Sequence, residues 1–237
     1  RKCKLYSEEE FIMQYEIKGS PFPVVVCNLA GGESVKCQKG AMCWMSPNMQ
    51  METKTGGLGK MFGKALTGEA LTENQYTAQG GAGMIAFGSG VPGNILAVDV
   101  SGGKTIVAQK RSFLASEMGV NVETHFQKKG AAGFFGGEGF IMQKFSGQGY
   151  VFLEVDGSTV EYELQPGQTM IVDTGSLAAM EATVNMDIQM VKGLGNMLGG
   201  GEGLFNTVLT GPGRIWLQTM PVSSLANALI PYLPTGR

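Results

Sequence analysis

What is scarce in this sequence narrows its chemistry before any motif is considered. Histidine occurs once, at His125. A cupin-type metal centre wants two or three His with a carboxylate, and a Ser-His-Asp triad needs a His of its own, so His125 would have to serve either site alone. The nucleophile-elbow pattern G-x-S-x-G is absent. Alternation in 120–126 puts Val120, Val122, Thr124 and Phe126 on one strand face and His125 with Asn121 and Glu123 on the polar one, which reads as a solvated His. Charge is sparse too: Asp, Glu, Lys and Arg make up 16% and the formal net charge is -2. The longest basic clusters are Lys110-Arg111 and Lys128-Lys129, too short for a nucleic-acid-binding face, so no nucleic-acid partner is expected. No apolar run approaches the ~20 residues of a transmembrane helix. The polar stretch 1–10 does not read as a secretory signal.

Cysteine is limited to Cys3, Cys27, Cys37 and Cys43. None forms a C-x-x-C pair, and the spacing suits neither a disulfide framework nor a metal set; free thiols in a reducing cytoplasm are expected. Neither a cofactor nor a metal is expected. One G-x-G-x-x-G occurs, Gly88 to Gly93, but a strand-like segment at 95–100 follows it where a dinucleotide site requires a helix. No Walker loop is present.

Glycine is what the chain has in excess, 37 of 237 residues, about twice the usual ~7% share. Glycine supplies positive φ in turns and weakens helix interiors, so a glycine-rich chain with short apolar segments leans to β structure. Strand patterns occur at 11–17, 24–29, 35–45, 84–87, 95–100, 105–109, 120–126, 150–155, 160–164, 169–172, 182–190 and 214–219. Turn markers separate them, among them Gly31-Gly32, Asp156-Gly157 and Pro166-Gly167. One helix is predicted, 223–233, capped by Ser223 and packed on a sheet edge near the C-terminus.

The most informative pattern is an internal repeat. Gly136-Gly137-Glu138-Gly139-Phe140 matches Gly200-Gly201-Glu202-Gly203-Leu204, and a looser copy is Gly68-Glu69-Ala70-Leu71. Each is followed by Gly-x-Gly (Gly81-Ala82-Gly83, Gly147-Gln148-Gly149, Gly211-Pro212-Gly213) and then an apolar strand, a pattern read as a hairpin turn. Each is preceded by two large apolar residues and a Gly: Met61-Phe62, Phe134-Phe135 and Met197-Leu198. Further upstream, Lys36-Cys37-Gln38, Val107-Ala108-Gln109 and Glu163-Leu164-Gln165 each end a strand. Units of about 65 residues bury only modest cores alone. The prediction is therefore a single all-β domain over 1–237 with three repeats at about 11–93, 94–159 and 160–221 around a pseudo-threefold axis, and a C-terminal helix and tail at 222–237.

The same residues, above all Gly201-Glu202-Gly203-Leu204-Phe205 through Gly211-Pro212-Gly213-Arg214-Ile215-Trp216-Leu217-Gln218, resemble the altered inheritance of mitochondria family, number twenty-four, over about 11–221. The resemblance implies a fold like that of the tryptophan RNA-binding attenuation protein, a short double-stranded β-helix type with three repeats in one chain. It implies no established activity; mitochondrial members are associated with inner-membrane organisation. Function is expected to be that of a non-enzymatic scaffold or binding protein. It would dock an unidentified protein or a membrane surface through the Gly-flanked apolar elements, and homo-oligomers are compatible with that role. The competing expectation is a small-molecule binder or cryptic enzyme using a cleft between repeats, marked by converging carboxylates.

Overall fold

The computed structural model describes residues 13–54, 73–128, 140–190 and 205–233. After an opening strand β1 (Gln14–Lys18), the other eighteen strands of the described residues follow a recurring order. The first set is β2 (Val24–Leu29), β3 (Ser34–Gln38), β4 (Met42–Met45), β5 (Met49–Lys54), β6 (Glu73–Ala78) and β7 (Gly83–Gly88). The second is β8 (Gly93–Asp99), β9 (Ile106–Gln109), β10 (Phe113–Glu117), β11 (Val120–Lys128), β12 (Phe140–Gly147) and β13 (Tyr150–Asp156). The third is β14 (Thr159–Leu164), β15 (Thr169–Asp173), β16 (Leu177–Glu181), β17 (Asn185–Met190), β18 (Phe205–Thr210) and β19 (Gly213–Gln218). A short helix α1 (Val222–Leu229) and a 3-10 turn (Ile230–Tyr232) close the described chain. The strands form where apolar and polar residues alternate: β18 buries Phe205, Thr207 and Leu209 and turns Asn206, Val208 and Thr210 outward.

One pairing scheme serves every set. The sixth strand lies between the first and the third, as in β2·β7·β4, β8·β13·β10 and β14·β19·β16. The fifth lies between the second and the fourth, as in β3·β6·β5, β9·β12·β11 and β15·β18·β17. All are antiparallel. Successive sets are joined by pairing the second strand of one to the third strand of the next, β3·β10 and β9·β16. The result is four sheets, ordered β1-β2-β7-β4, β5-β6-β3-β10-β13-β8, β11-β12-β9-β16-β19-β14 and β15-β18-β17. β4 and β15 end their sheets and are not paired with each other. Three apolar clusters fill the space between sheets, and each borrows from a neighbouring set. Phe152, Leu114 and Ala115 of the second set join Val25, Ile85 and Phe87 of the first, and Trp216 and Ala179 of the third join Phe113 and Phe145 of the second.

Several expectations change. The Gly-x-Gly elements do not close hairpins: the fifth and sixth strands they connect belong to different sheets, so each is a corner from one layer to the other. Gly149 shows why glycine is needed there. Its φ is +108° and a Cβ would stand 2.4 Å from the Glu117 carboxylate. Glu163-Leu164-Gln165 does close a strand, β14, but the segment placed like Lys36-Cys37-Gln38 and Val107-Ala108-Gln109 is Ile171-Val172-Asp173, because Val172 pairs with Thr207 as Cys37 does with Asn74 and Ala108 with Gln143. Helix α1 begins after Pro221 without a side-chain cap, and Ser223 lies inside it; the N–H of Val222 donates to Asp156 Oδ2 at 2.8 Å instead. No residue of α1 is buried. His125 is exposed and sits at a β-bulge, since the β11·β12 register passes from Thr124 directly to Phe126.

Candidate site: two grooves between strand sets

The residues singled out by the repeat lie outside the described residues. They are Met61, Phe62, Gly68 and Glu69; Phe134, Phe135, Gly137, Glu138 and Gly139; and Met197, Leu198, Gly201, Glu202 and Gly203. Their place along the chain is nevertheless uniform. Each group falls in the link from the fourth to the fifth strand of its set, beyond the pairs Lys54↔Glu73, Lys128↔Phe140 and Met190↔Phe205.

Two open grooves lie among the described residues, and both form where sets meet. The first, of about 530 Å3, runs between the first and second sets and is lined by Glu33, Asp99, Glu117, Met118 and Tyr150 among others. Three carboxylates thus face one cleft, and each is held by the fold. Glu33 accepts the N–H of Ala30 at 2.6 Å, Asp99 that of Ser101 at 2.9 Å and Glu117 that of Tyr150 at 2.5 Å. Burial is the largest influence on Glu117 and pushes its carboxyl above the ordinary range; N–H groups of Tyr150 and Met13 oppose this, while Asp99 and Glu33 add to it. Asp99 is held below its ordinary value, chiefly by hydrogen bonds from Ser101.

Glu117 has counterparts that explain it. Glu181 ends the third strand of its own set, as Glu117 does, and accepts the N–H of Arg214 at 3.0 Å; Ser46, just after β4, likewise accepts that of Met84 at 3.0 Å. In every set an acceptor at the end of the third strand caps the start of the sixth. Sequence reasoning missed this role; the signal available was the shared ending of Phe113–Glu117 and Leu177–Glu181.

The second groove, about 650 Å3, lies where the second set meets the third and the C-terminal helix, and is lined by Lys110, Arg111, Glu154, Asp156, Gln218 and Val222 among others. Glu154 accepts from Gln38 Nε2 at 3.1 Å and from Ser89 Oγ and the Gly90 N–H, both at 3.0 Å. Burial raises the Asp156 carboxyl, opposed by the Val222 N–H and Arg111. The thiols are unpaired at Cys27, Cys37 and Cys43. Burial pushes Cys27 and Cys37 up to about 12, so both stay protonated and unreactive at neutral pH. Among the described residues no group of three or more His, Cys, Asp or Glu is placed to hold a metal ion. No helix among the described residues is long and apolar enough to cross a membrane.

These features define an all-β chain of antiparallel sheets whose groove carboxylates are engaged in capping the fold. The chain belongs to the Mitochondrial biogenesis AIM24 family, whose model matches residues 15–220. It is 30% identical over 223 residues to the uncharacterized protein M6_Spy0233 of Streptococcus pyogenes serotype M6, covering 91% of this chain and 88% of that protein. It is also similar to the crystal structure of protein SPYM3_0169 from Streptococcus pyogenes, a structural genomics target, with a TM-score of 0.77 and 29% identity, covering 93% of this chain and 100% of the other.

Proposed function

We propose that the chain is a non-enzymatic cytoplasmic scaffold of three diverged copies of one six-strand unit, and that it docks a protein partner. The carrying observation is the apolar surface at its C-terminal end. Leu229, Ile230, Tyr232 and Leu233 are 50%, 59%, 85% and 60% exposed, on a helix and turn that bury none of their own residues. Exposed apolar side chains in such a cluster are typical of interaction sites. The segment 220–237 carries Arg237 as its sole cation, whereas helices that lie on anionic membranes are rich in Lys and Arg, which favours a protein groove over a lipid surface. The Gly-flanked apolar pairs at the fourth-to-fifth link of each copy would extend the docking surface. Three unpaired thiols support a reducing compartment. A fold like that of the tryptophan RNA-binding attenuation protein, with three repeats in one chain, belongs to the same reading, without RNA binding, because no basic run accompanies it.

The test is affinity purification with mass spectrometry of the intact chain against Leu229→Ser/Tyr232→Ser. The variant should keep its circular dichroism and lose a reproducible set of partners; an unchanged set, or recovery of lipid alone, contradicts the reading. A second reading has its own support: Glu33, Asp99 and Glu117 line one cleft, the arrangement a small-molecule binder or cryptic enzyme would use. Thermal-shift screening of small cations and amines against the intact chain and Glu117→Gln separates the two. A stabilising ligand lost with the substitution would favour the second reading.

A further inference from the structure

The edges of the sheets are of two kinds. β1, β5, β8, β11, β14 and β17 are first or fourth strands, or the added opening strand; every first and fourth strand ends a sheet except β2, which β1 covers. Each carries an acid, Glu16, Glu52, Asp99, Glu123, Glu161 and Asp187 respectively, the usual guard against edge-to-edge association. β4 and β15 differ. They are a third and a second strand, positions that are interior at both junctions within the chain, β3·β10 and β9·β16. β4, Met42-Cys43-Trp44-Met45, carries no charge; β15 ends in an acid, Asp173, which accepts the N–H of Gly175 at 2.8 Å as Asp99 accepts that of Ser101, so β15 is set apart by its position and not by its charge. Trp44, Met45 and Ile171 are 48%, 38% and 67% exposed. These two strands are composed as sheet interior yet stand at sheet edges, and each is the partner type the other lacks.

We infer that β15 of one copy of this chain pairs antiparallel with β4 of a second copy, joining chains head to tail. The register follows from the internal junctions. Trp44 holds the position of Ala115 and Ala179, as its pairing opposite Ala86, Phe152 and Trp216 of the sixth strand shows. Ala115 lies opposite Cys37 and Ala179 opposite Ala108, whose counterpart in β15 is Val172. The intermolecular pairs are therefore Trp44↔Val172, Met45↔Ile171 and Ser46↔Met170. The three exposed apolar side chains become covered, and the outer sheets, of four and three strands, fuse into one. The ladder ends at Ser46, because Pro47 stands where Ala182 donates its N–H to Thr105. Such an interface is heterologous, so successive chains form a ring where the rotation closes and a filament where it does not. The C-terminal helix takes no part, so this inference stands independently of the docking reading.

Sedimentation velocity and native mass spectrometry of the full 25.1 kDa chain test it with two single variants, Met45→Lys and Ile171→Lys. The wild type should form oligomers whose size grows with concentration or settles at one ring. Each variant alone should be monomeric with unchanged circular dichroism. An equimolar mixture should give dimers and stop there, since one partner keeps an intact β15 and the other an intact β4. A monomeric wild type, oligomeric single variants or a mixture that stays monomeric would overturn the inference. A second readout does not depend on charge. In a Cys3→Ser/Cys43→Ser background, Met45→Cys with Ile171→Cys should give an inter-chain disulfide ladder on mild oxidation. No link, or a link closed within one chain, counts against it.

Discussion

At Ala115 the third strand of the middle set runs against Cys37 and is wholly buried; at Trp44, the same position in the first set, the strand is half exposed. Val107 of β9 is buried between β12 and β16, while its counterpart Ile171 is 67% exposed. The polypeptide thus builds one junction twice in full and leaves two complementary halves of it at its ends. The comparison teaches that exposure here follows from position in the series of sets and not from side-chain type, for the terminal strands are if anything the more apolar.

The largest expected contrast places one substitution at both positions. Ala115→Lys buries an ammonium with no partner, which in a site of this depth shifts a lysine by about 3–5 pKa units, or ~4–7 kcal/mol. Trp44→Lys puts the same ammonium at a solvent-facing edge and should change the stability of the dilute chain by no more than ~0.5 kcal/mol. Urea denaturation of the two measures the difference, and equal losses would break the comparison. Next comes Phe152→Ala. Phe152 is fully buried where the first two sets share a core, and its ring centroid lies 4.9 Å from that of Tyr15; truncation should cost ~3–5 kcal/mol, with both sets unfolding in one transition. Two separate transitions would show that the junction does not couple them.

The thiols offer a contrast without an energetic cost. In a Cys3→Ser chain a disulfide reagent should titrate Cys43 at the exposed edge and leave Cys27 and Cys37 untouched until denaturant is added. The smallest effect concerns pH. Glu117 and Asp156 are raised in the folded chain, so they bind protons more tightly folded than unfolded. The stability they contribute is complete below their unfolded values, near 4.5 and 3.8, and is lost as pH rises through the folded ones. Glu117→Gln should flatten the fall in melting temperature with rising pH across that window; an unaltered pH profile would assign the fall elsewhere.

Much of the fold was legible because much of it is local. Segments 24–29, 95–100, 150–155, 160–164 and 214–219 each coincide with a strand to within two residues, as their alternation and bounding glycines required. The segment 35–45 breaks at Lys39-Gly40 into β3 and β4, with Gly40 at φ +85°, a turn signal that the apolar run concealed. Leu177–Glu181, rich in Ala, Leu and Met, has no strand signature at all; its burial between β9 and β19 decides its conformation. The Gly-x-Gly corners looked like hairpins because a turn is visible locally, whereas the sheet each flanking strand joins is set by partners far along the chain. The capping role of Glu117 and Glu181 was hidden for the same reason, since each N–H they accept lies 33 residues away.

Amide hydrogen exchange of the intact chain at low and high concentration tests the complementary-edge account most directly. Peptides covering 42–46 and 169–173 should gain protection together as concentration rises, while β1, β5 and β17 stay unchanged. If both segments exchange at the same rate at every concentration, β4 and β15 are not each other's partners and the head-to-tail pairing is wrong.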